Sequence, residues 1–250
     1  MAAFEWTAFA WTRLAQGIGA LLPSCCALCG KVCAGVVCAP CQGDVVHQRP
    51  RCRRCANPVA PFEAASGRPC GACLAALPAF DATVAAIDYA TPLDQLLLQL
   101  KFGGRLQLAP WFAQLLRDAV LRQAGPTVLL PDLLAPVPLG RRRLAERGFN
   151  QALEVARPLS RMLGVPLACQ LAMRVTETAP QSSVAPSARA ANVRGAFALA
   201  AGTASVAGLH VGIVDDVMTS GRTLDALAKT LKAAGAARVS NFVVARTPPG

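Results

Sequence analysis

The stretch VGIVDDVMTSGRTL, residues 211–224, decides how the rest of this chain is read. An apolar run, His210–Val214, has strand character and delivers two adjacent carboxylates, Asp215 and Asp216, at its carboxyl end. Two hydroxyls and a glycine follow, Thr219, Ser220 and Gly221, and Thr223 then opens a helical pattern. Each part has a use around a single ligand. A glycine lets backbone N–H groups converge on an anion, and a helix N-terminus adds the positive end of its dipole. The hydroxyls of Thr219, Ser220 and Thr223 can complete a cradle for a phosphate. Two carboxylates at its rim would repel that phosphate, so they must serve another part of the ligand. A ribose 5-phosphate answers both needs. Its vicinal hydroxyls donate to the carboxylates, and loss of a leaving group at C1 creates an oxocarbenium-like centre that carboxylates stabilise. A lone Asp-Asp pair commonly does no more than complement a helix dipole. The full order of strand, DD, TSG and helix is far more specific.

Working outward, the flanking segments predict an α/β fold. Strands are expected at Thr83–Tyr89, Leu133–Val137 and Val239–Ala245, and helices at Leu93–Lys101, Leu106–Ala124, Asn150–Leu163 and Thr223–Ala234. The last helix carries Leu224, Leu227, Ala228 and Leu231 on one face, with Gly235 as its end cap. Such alternation gives a parallel sheet with helices on both faces, whose ligands bind beyond the carboxyl ends of the strands. The segment 176–191 is polar and holds two prolines, so it reads as a mobile loop.

Composition changes near residue 80. Ten of the 11 cysteines lie between Cys25 and Cys73, and Cys169 stands alone. Four C-x-x-C pairs are present, Cys26/Cys29, Cys38/Cys41, Cys52/Cys55 and Cys70/Cys73. This spacing turns two thiolates toward one tetrahedral ion, and two pairs close a structural zinc site, so two zinc ions are expected. Consecutive and cross-braced pairings both satisfy the spacing. Cys25 and Cys33 are surplus. The expected organisation is an amphipathic helix over 1–22, a double zinc ribbon over 23–78 and the α/β domain over 79–250.

Twenty-five basic residues against 14 acidic ones give a net charge of +11, which favours polyanionic partners. Arg49, Arg51, Arg53 and Arg54 crowd the third C-x-x-C pair and suit non-specific phosphate-backbone contact. Few aromatic residues accompany them, so base stacking of the usual single-strand kind is not evident there. His47 and His210 read as ordinary side chains. Glu5 and Arg13 break up the apolar N-terminal stretch, against an export signal, and no stable membrane insertion is expected. The expected location is cytoplasmic.

The 211–224 stretch resembles the binding motif for phosphoribosyl pyrophosphate (PRPP) of type I phosphoribosyltransferases, with Ser220 where threonine is usual. Three further segments narrow the likeness: APVPLGRRRLAERGFNQ (135–151), TETAPQ (176–181) leading to Arg189-x-x-Asn192, and Lys101-Phe102-x-Gly104. In this order they resemble the ComF family over essentially the whole chain. The resemblance implies a type I phosphoribosyltransferase fold behind a double zinc ribbon. It implies that Asp215 and Asp216 meet the ribose, and that Val217, Met218, Thr219, Ser220, Gly221, Arg222 and Thr223 form the phosphate loop. Lys101, Arg147, Gln181 and Arg189 are implied as further PRPP contacts, with Mg2+ on the pyrophosphate. It also implies a part in handling internalised single-stranded DNA during natural transformation, beside competence-machinery proteins. Transfer of ribose 5-phosphate to an unknown acceptor, and PRPP sensing without turnover, are the alternatives.

Overall fold

The computed structural model describes residues 24–124, 130–175 and 195–248. The expected N-terminal helix over 1–22 lies outside them, as does the whole polar 176–192 segment with Gln181 and Arg189. By internal contacts the chain divides into Met1–His47 and Gln48–Gly250.

In the smaller unit, β1 (Ser24–Cys25) pairs antiparallel with β2 (Val32–Cys33), and α1 (Ala39–Val45) follows. The Ser24 hydroxyl donates to the carbonyls of Cys33 and Gly35, tying the ribbon to the next turn.

In the larger unit, two short helices come first, α2 (Pro61–Ser66) and α3 (Gly71–Ala75). The sheet domain then runs β3 (Ala82–Asp88), α4 (Leu93–Phe102), α5 (Leu108–Ala124), β4 (Leu133–Pro136), α6 (Arg141–Arg147) and α7 (Gln151–Leu163). It ends with β5 (Ala172–Arg174), β6 (Phe197–Leu199), β7 (His210–Met218), α8 (Arg222–Ala233) and β8 (Arg238–Arg246). Strands β3, β8, β7 and β4 form one sheet in that order, every pair parallel. Strands β5 and β6 form a separate antiparallel pair that the sequence pattern did not suggest.

Alternation along β7 divides the core. Val211 and Ile213 share a cluster with Leu224, Leu227, Ala228 and Leu231 of α8, and with Val239 and Val243 of β8. Val214 and Asp216 point to the opposite face, where Gln151 of α7 meets Asp216. Helices α5 and α7 are buried through Leu108, Phe112, Leu116, Val155 and Leu159. Gly212 is required by close packing, since a Cβ there would sit 2.7 Å from both Leu134 Cδ2 and Phe242 Cε2.

One expectation needs correction. Strand β7 does not stop at Val214 but continues to Met218, because β8 keeps pairing with it through Asp215↔Val243, Val217↔Ala245 and Met218↔Arg246. The two carboxylates are therefore strand residues on opposite faces rather than loop residues. The arginine run after β4 is a helical turn, α6, closed by Gly148 at φ +79°. Among the described residues no helix is long and apolar enough to cross a membrane.

Candidate functional site

The ends of β7 and α8 build the candidate ligand site. Strand β7 ends at Met218, Thr219 and Ser220 are exposed, and α8 begins at Arg222. Gly221 makes this turn at φ +76°, where a Cβ would lie 2.6 Å from Met218 Cε. Glycine answers both restrictions. Met218 itself is buried beneath the loop, and Thr223 lies half-buried in the first turn of α8.

The two carboxylates have different surroundings. Asp216 is buried, with Lys101 Nζ 2.7 Å from its Oδ2. Gln151 Nε2 donates to its Oδ1 at 3.4 Å. Arg147 donates to the Gln151 side-chain carbonyl, and its guanidinium lies 5.1 Å from the centre of the Phe102 ring. Lys101, Arg147 and Gln151 thus converge on Asp216 from three separate helices, with Phe102 against the Arg147 guanidinium. Burial pulls the Arg147 pKa down, while the charge of Asp216 opposes that shift.

Asp215 accepts the backbone N–H of Asp216 at 2.9 Å. Burial, and then the neighbouring Asp216 charge, push its carboxyl well above the ordinary value of 3.8. A raised folded value costs stability as pH climbs from the ordinary value through the raised one. Donors arriving with a ligand would relieve that cost, since hydrogen bonds to a carboxylate favour its charged form.

The cysteines resolve into consecutive tetrads, the pairing that spacing alone left open. Cys26, Cys29, Cys38 and Cys41 form one, and Cys52, Cys55, Cys70 and Cys73 the other, with all Sγ atoms of each within 4.8 Å of one another. Observed Sγ···Sγ distances of 3.8 Å (Cys29–Cys38) and 3.5 Å (Cys55–Cys70) suit a tetrahedron. Zn–S bonds of about 2.3 Å place sulfurs about 3.8 Å apart. Both tetrads fit zinc. Burial raises the Cys52 thiol, but N–H groups of Cys70, Cys55 and Arg54 outweigh it and bring the pKa to about 7. Burial instead pushes Cys55 up to about 11. A thiolate set this crowded calls for a cation at its centre.

Each tetrad uses the same turn after its second cysteine. Gly30 holds φ +73° after Cys29, and Ala56 holds φ +56° after Cys55. The alanine keeps the left-handed turn despite its side chain and is fully buried. Cys25 and Cys33 belong to neither tetrad.

The arginines of the third C-x-x-C pair have divided roles. Arg51 Nη2 is 2.7 Å from Asp88 Oδ1, and its Nη1 donates to Ala56 O at 3.1 Å. Arg54 donates to Pro78 O at 2.8 Å. These two dock the turn onto the sheet domain. Arg53 is exposed, and the largely exposed Arg49 reaches Asp88 at 3.3 Å. His210 lies at the opposite end of β7, bonded to Ser240 Oγ at 2.8 Å.

Sequence patterns missed Gln151 and Arg246. Gln151 ends the quoted 135–151 run, and only the fold shows that its amide faces Asp216. Arg246 is buried at the end of β8 with no motif around it. Its Nε donates to Cys55 O and its Nη1 to Met218 O, each at 3.0 Å, and further bonds reach Thr219 O, Thr247 O and Asn57 Oδ1.

The chain is similar to known proteins over most of its length. Over 230 residues, 90% of this chain and 98% of the relative, the chain is 37% identical to DNA utilization protein YhgH of Salmonella typhimurium. It is 32% identical over 212 residues to Competence protein F of Haemophilus influenzae, covering 84% and 90% of the two chains. The chain belongs to the ComF family. In this ComF member the phosphoribosyl transferase domain model matches residues 150–249, from the cap of α7 through β8. The larger unit has the type I phosphoribosyltransferase fold, a parallel sheet with flanking helices. Among solved structures, purine phosphoribosyltransferase from Pyrococcus horikoshii is 20% identical, with 52% of this chain and 70% of that one covered and a TM-score of 0.30. Hypoxanthine phosphoribosyl transferase of Trypanosoma cruzi is 18% identical, with 58% and 74% covered and a TM-score of 0.35.

Proposed function

We propose that this ComF protein binds PRPP with Mg2+ at the β7–α8 turn and serves the handling of single-stranded DNA in the cytoplasm. The observation that carries the first part is the glycine turn directly after two carboxylates of unlike environment. Thr219, Ser220, Gly221, Arg222 and Thr223, with the backbone of Val217 and Met218, would receive the 5′-phosphate. Asp215 and Asp216 would accept the ribose hydroxyls. Lys101 and Arg147 stand close enough to the pair to meet the pyrophosphate, and Gln181 and Arg189 are proposed to join them. Mg2+ would be held mainly by ligand oxygens and water, which explains why no protein cage is needed for it.

Titration calorimetry with PRPP and Mg2+ tests this reading. Loss of both carboxylates in Asp215→Ala/Asp216→Ala removes two charge-assisted bonds of at least about 1.5 kcal/mol each, so affinity should fall by about a hundredfold or more. A double variant with the wild-type Kd would sink the assigned site.

The DNA part rests on the net charge, the exposed Arg53 and the names of the relatives. Retardation of a labelled single-stranded oligonucleotide should weaken with salt, and Arg53→Ala should lower the salt slope by about one. Arg51→Ala should act on stability instead, because Arg51 is already paired with Asp88. No retardation at low salt would remove DNA as a direct partner.

A further inference from the structure

We infer that Arg246 is a positioning residue, which aims the phosphate loop by tying it to the turn that carries the second cysteine tetrad. This inference rests on the reading of 215–223 as the PRPP site and adds a determinant that lies outside the family motif.

The residue is only 6% exposed, at the carboxyl end of β8 directly opposite Met218 in the register. Its guanidinium meets acceptors of two kinds. On one side are the carbonyls of Met218, Thr219 and Thr247, at the base of the loop. On the other are Cys55 O and Asn57 Oδ1, both in the turn of the third C-x-x-C pair. A trans peptide plane carries its C=O and the following N–H in opposite directions. Holding the Met218 and Thr219 carbonyls inward therefore turns the N–H groups of Thr219 and Ser220 outward, away from Arg246. Those are the donors an incoming phosphate needs, and both residues are exposed.

The second anchor explains why an arginine is used. A planar fork with five N–H donors can hold the loop and the cysteine turn at once, which a lysine ammonium cannot do with the same geometry. The turn is fixed in turn by its own bonds. Ala56 N–H donates to Cys52 O and Cys52 N–H to Asn57 O, both at 2.8 Å, so the position of Asn57 is set by the tetrad. The cysteine tetrad thereby becomes part of the support of the phosphate loop.

Hydrogen exchange at the amides of Thr247 and Asp225, which donate to Met218 O and Gly221 O at the base of the loop, gives a readout that needs no ligand, and it is combined with PRPP calorimetry and zinc content on the full chain. Asn57→Ala cuts one link without touching a cysteine. It should keep both zinc ions and make the Thr247 and Asp225 amides exchange about fivefold faster, the equivalent of one lost hydrogen bond, with PRPP weakened in proportion. Arg246→Met should raise both effects above about tenfold, and Arg246→Lys should recover only part, since it keeps the charge and loses the fork. Unchanged loop exchange in Asn57→Ala overturns the inference even if Arg246→Met fails to fold. Wild-type protein that ignores PRPP overturns the reading of the site instead, and leaves the exchange result to decide the role of Arg246.

Discussion

Stripping zinc from the second cysteine tetrad is expected to lower the melting temperature of the larger unit by roughly 10–20 °C. The reason is where these cysteines sit. Cys52, Cys55 and Cys73 are buried and belong to the same apolar cluster as Phe80, Ile213, Leu227 and Val243. Structural zinc contributes apparent binding energies of about 10–16 kcal/mol in small isolated sites. Even about 5 kcal/mol of that, lost from a unit of this size, corresponds to the stated shift at about 2–4 °C per kcal/mol. Removal also leaves four close thiols in a core that cannot solvate them, where the surroundings shift three from the ordinary thiol value, Cys52 downward and Cys55 and Cys73 upward. Differential scanning calorimetry of the full chain, with and without a strong chelator, reads the effect. Cys52→Ser should reproduce the shift at saturating zinc. Cys38→Ser is the control, since its tetrad belongs to the smaller unit, and the main transition should keep its temperature. Equal melting of the stripped and loaded protein would show that the second tetrad is not part of the core energetics.

Gly221→Val should abolish PRPP binding by at least about a hundredfold. A side chain at φ +76° costs about 1–2 kcal/mol by itself, and a branched one is worse. Its Cβ would also meet Met218 Cε at 2.6 Å, and Met218 is buried and cannot swing outward freely. The turn must then open, and the N–H groups of 219–223 lose their common direction. Two charge-assisted bonds of about 1.5–3 kcal/mol each account for the expected loss. Ser220→Ala is the comparison. It removes one exposed hydroxyl and should weaken PRPP only about tenfold. The far-ultraviolet circular dichroism of Gly221→Val should match wild type, because the strain falls on the turn between β7 and α8 rather than inside either element. A folded Gly221→Val protein with wild-type affinity would show that the phosphate is held elsewhere.

What was legible in the sequence, and what was not, follows from the range of each interaction. The cradle at 219–223 and the four C-x-x-C turns are local, so residue type and spacing alone reveal them. Strand β7 was read too short because charge at 215 and 216 looked like an ending, whereas its true end is set by a ladder to β8 that no local pattern records. The consecutive pairing of the tetrads depends on how chain segments return, which spacing leaves open. Arg51 and Arg54 read as free cations because Asp88 and Pro78 O lie far along the chain. Gln151 reaches Asp216 across 65 residues and Arg246 reaches Cys55 across 191. Both escaped notice for that reason.

The opposite facing of Asp215 and Asp216 has a consequence for how such a site can change. Though neighbours in sequence and on opposite faces, the two acids are tied electrostatically: the charge of Asp216 helps raise the Asp215 pKa, and Lys101, the partner of Asp216, lowers it. A substitution at Lys101 would therefore reach both acids from one face of the sheet. A ribose gripped by both would act as a rivet through the sheet, drawing on supports that shift together.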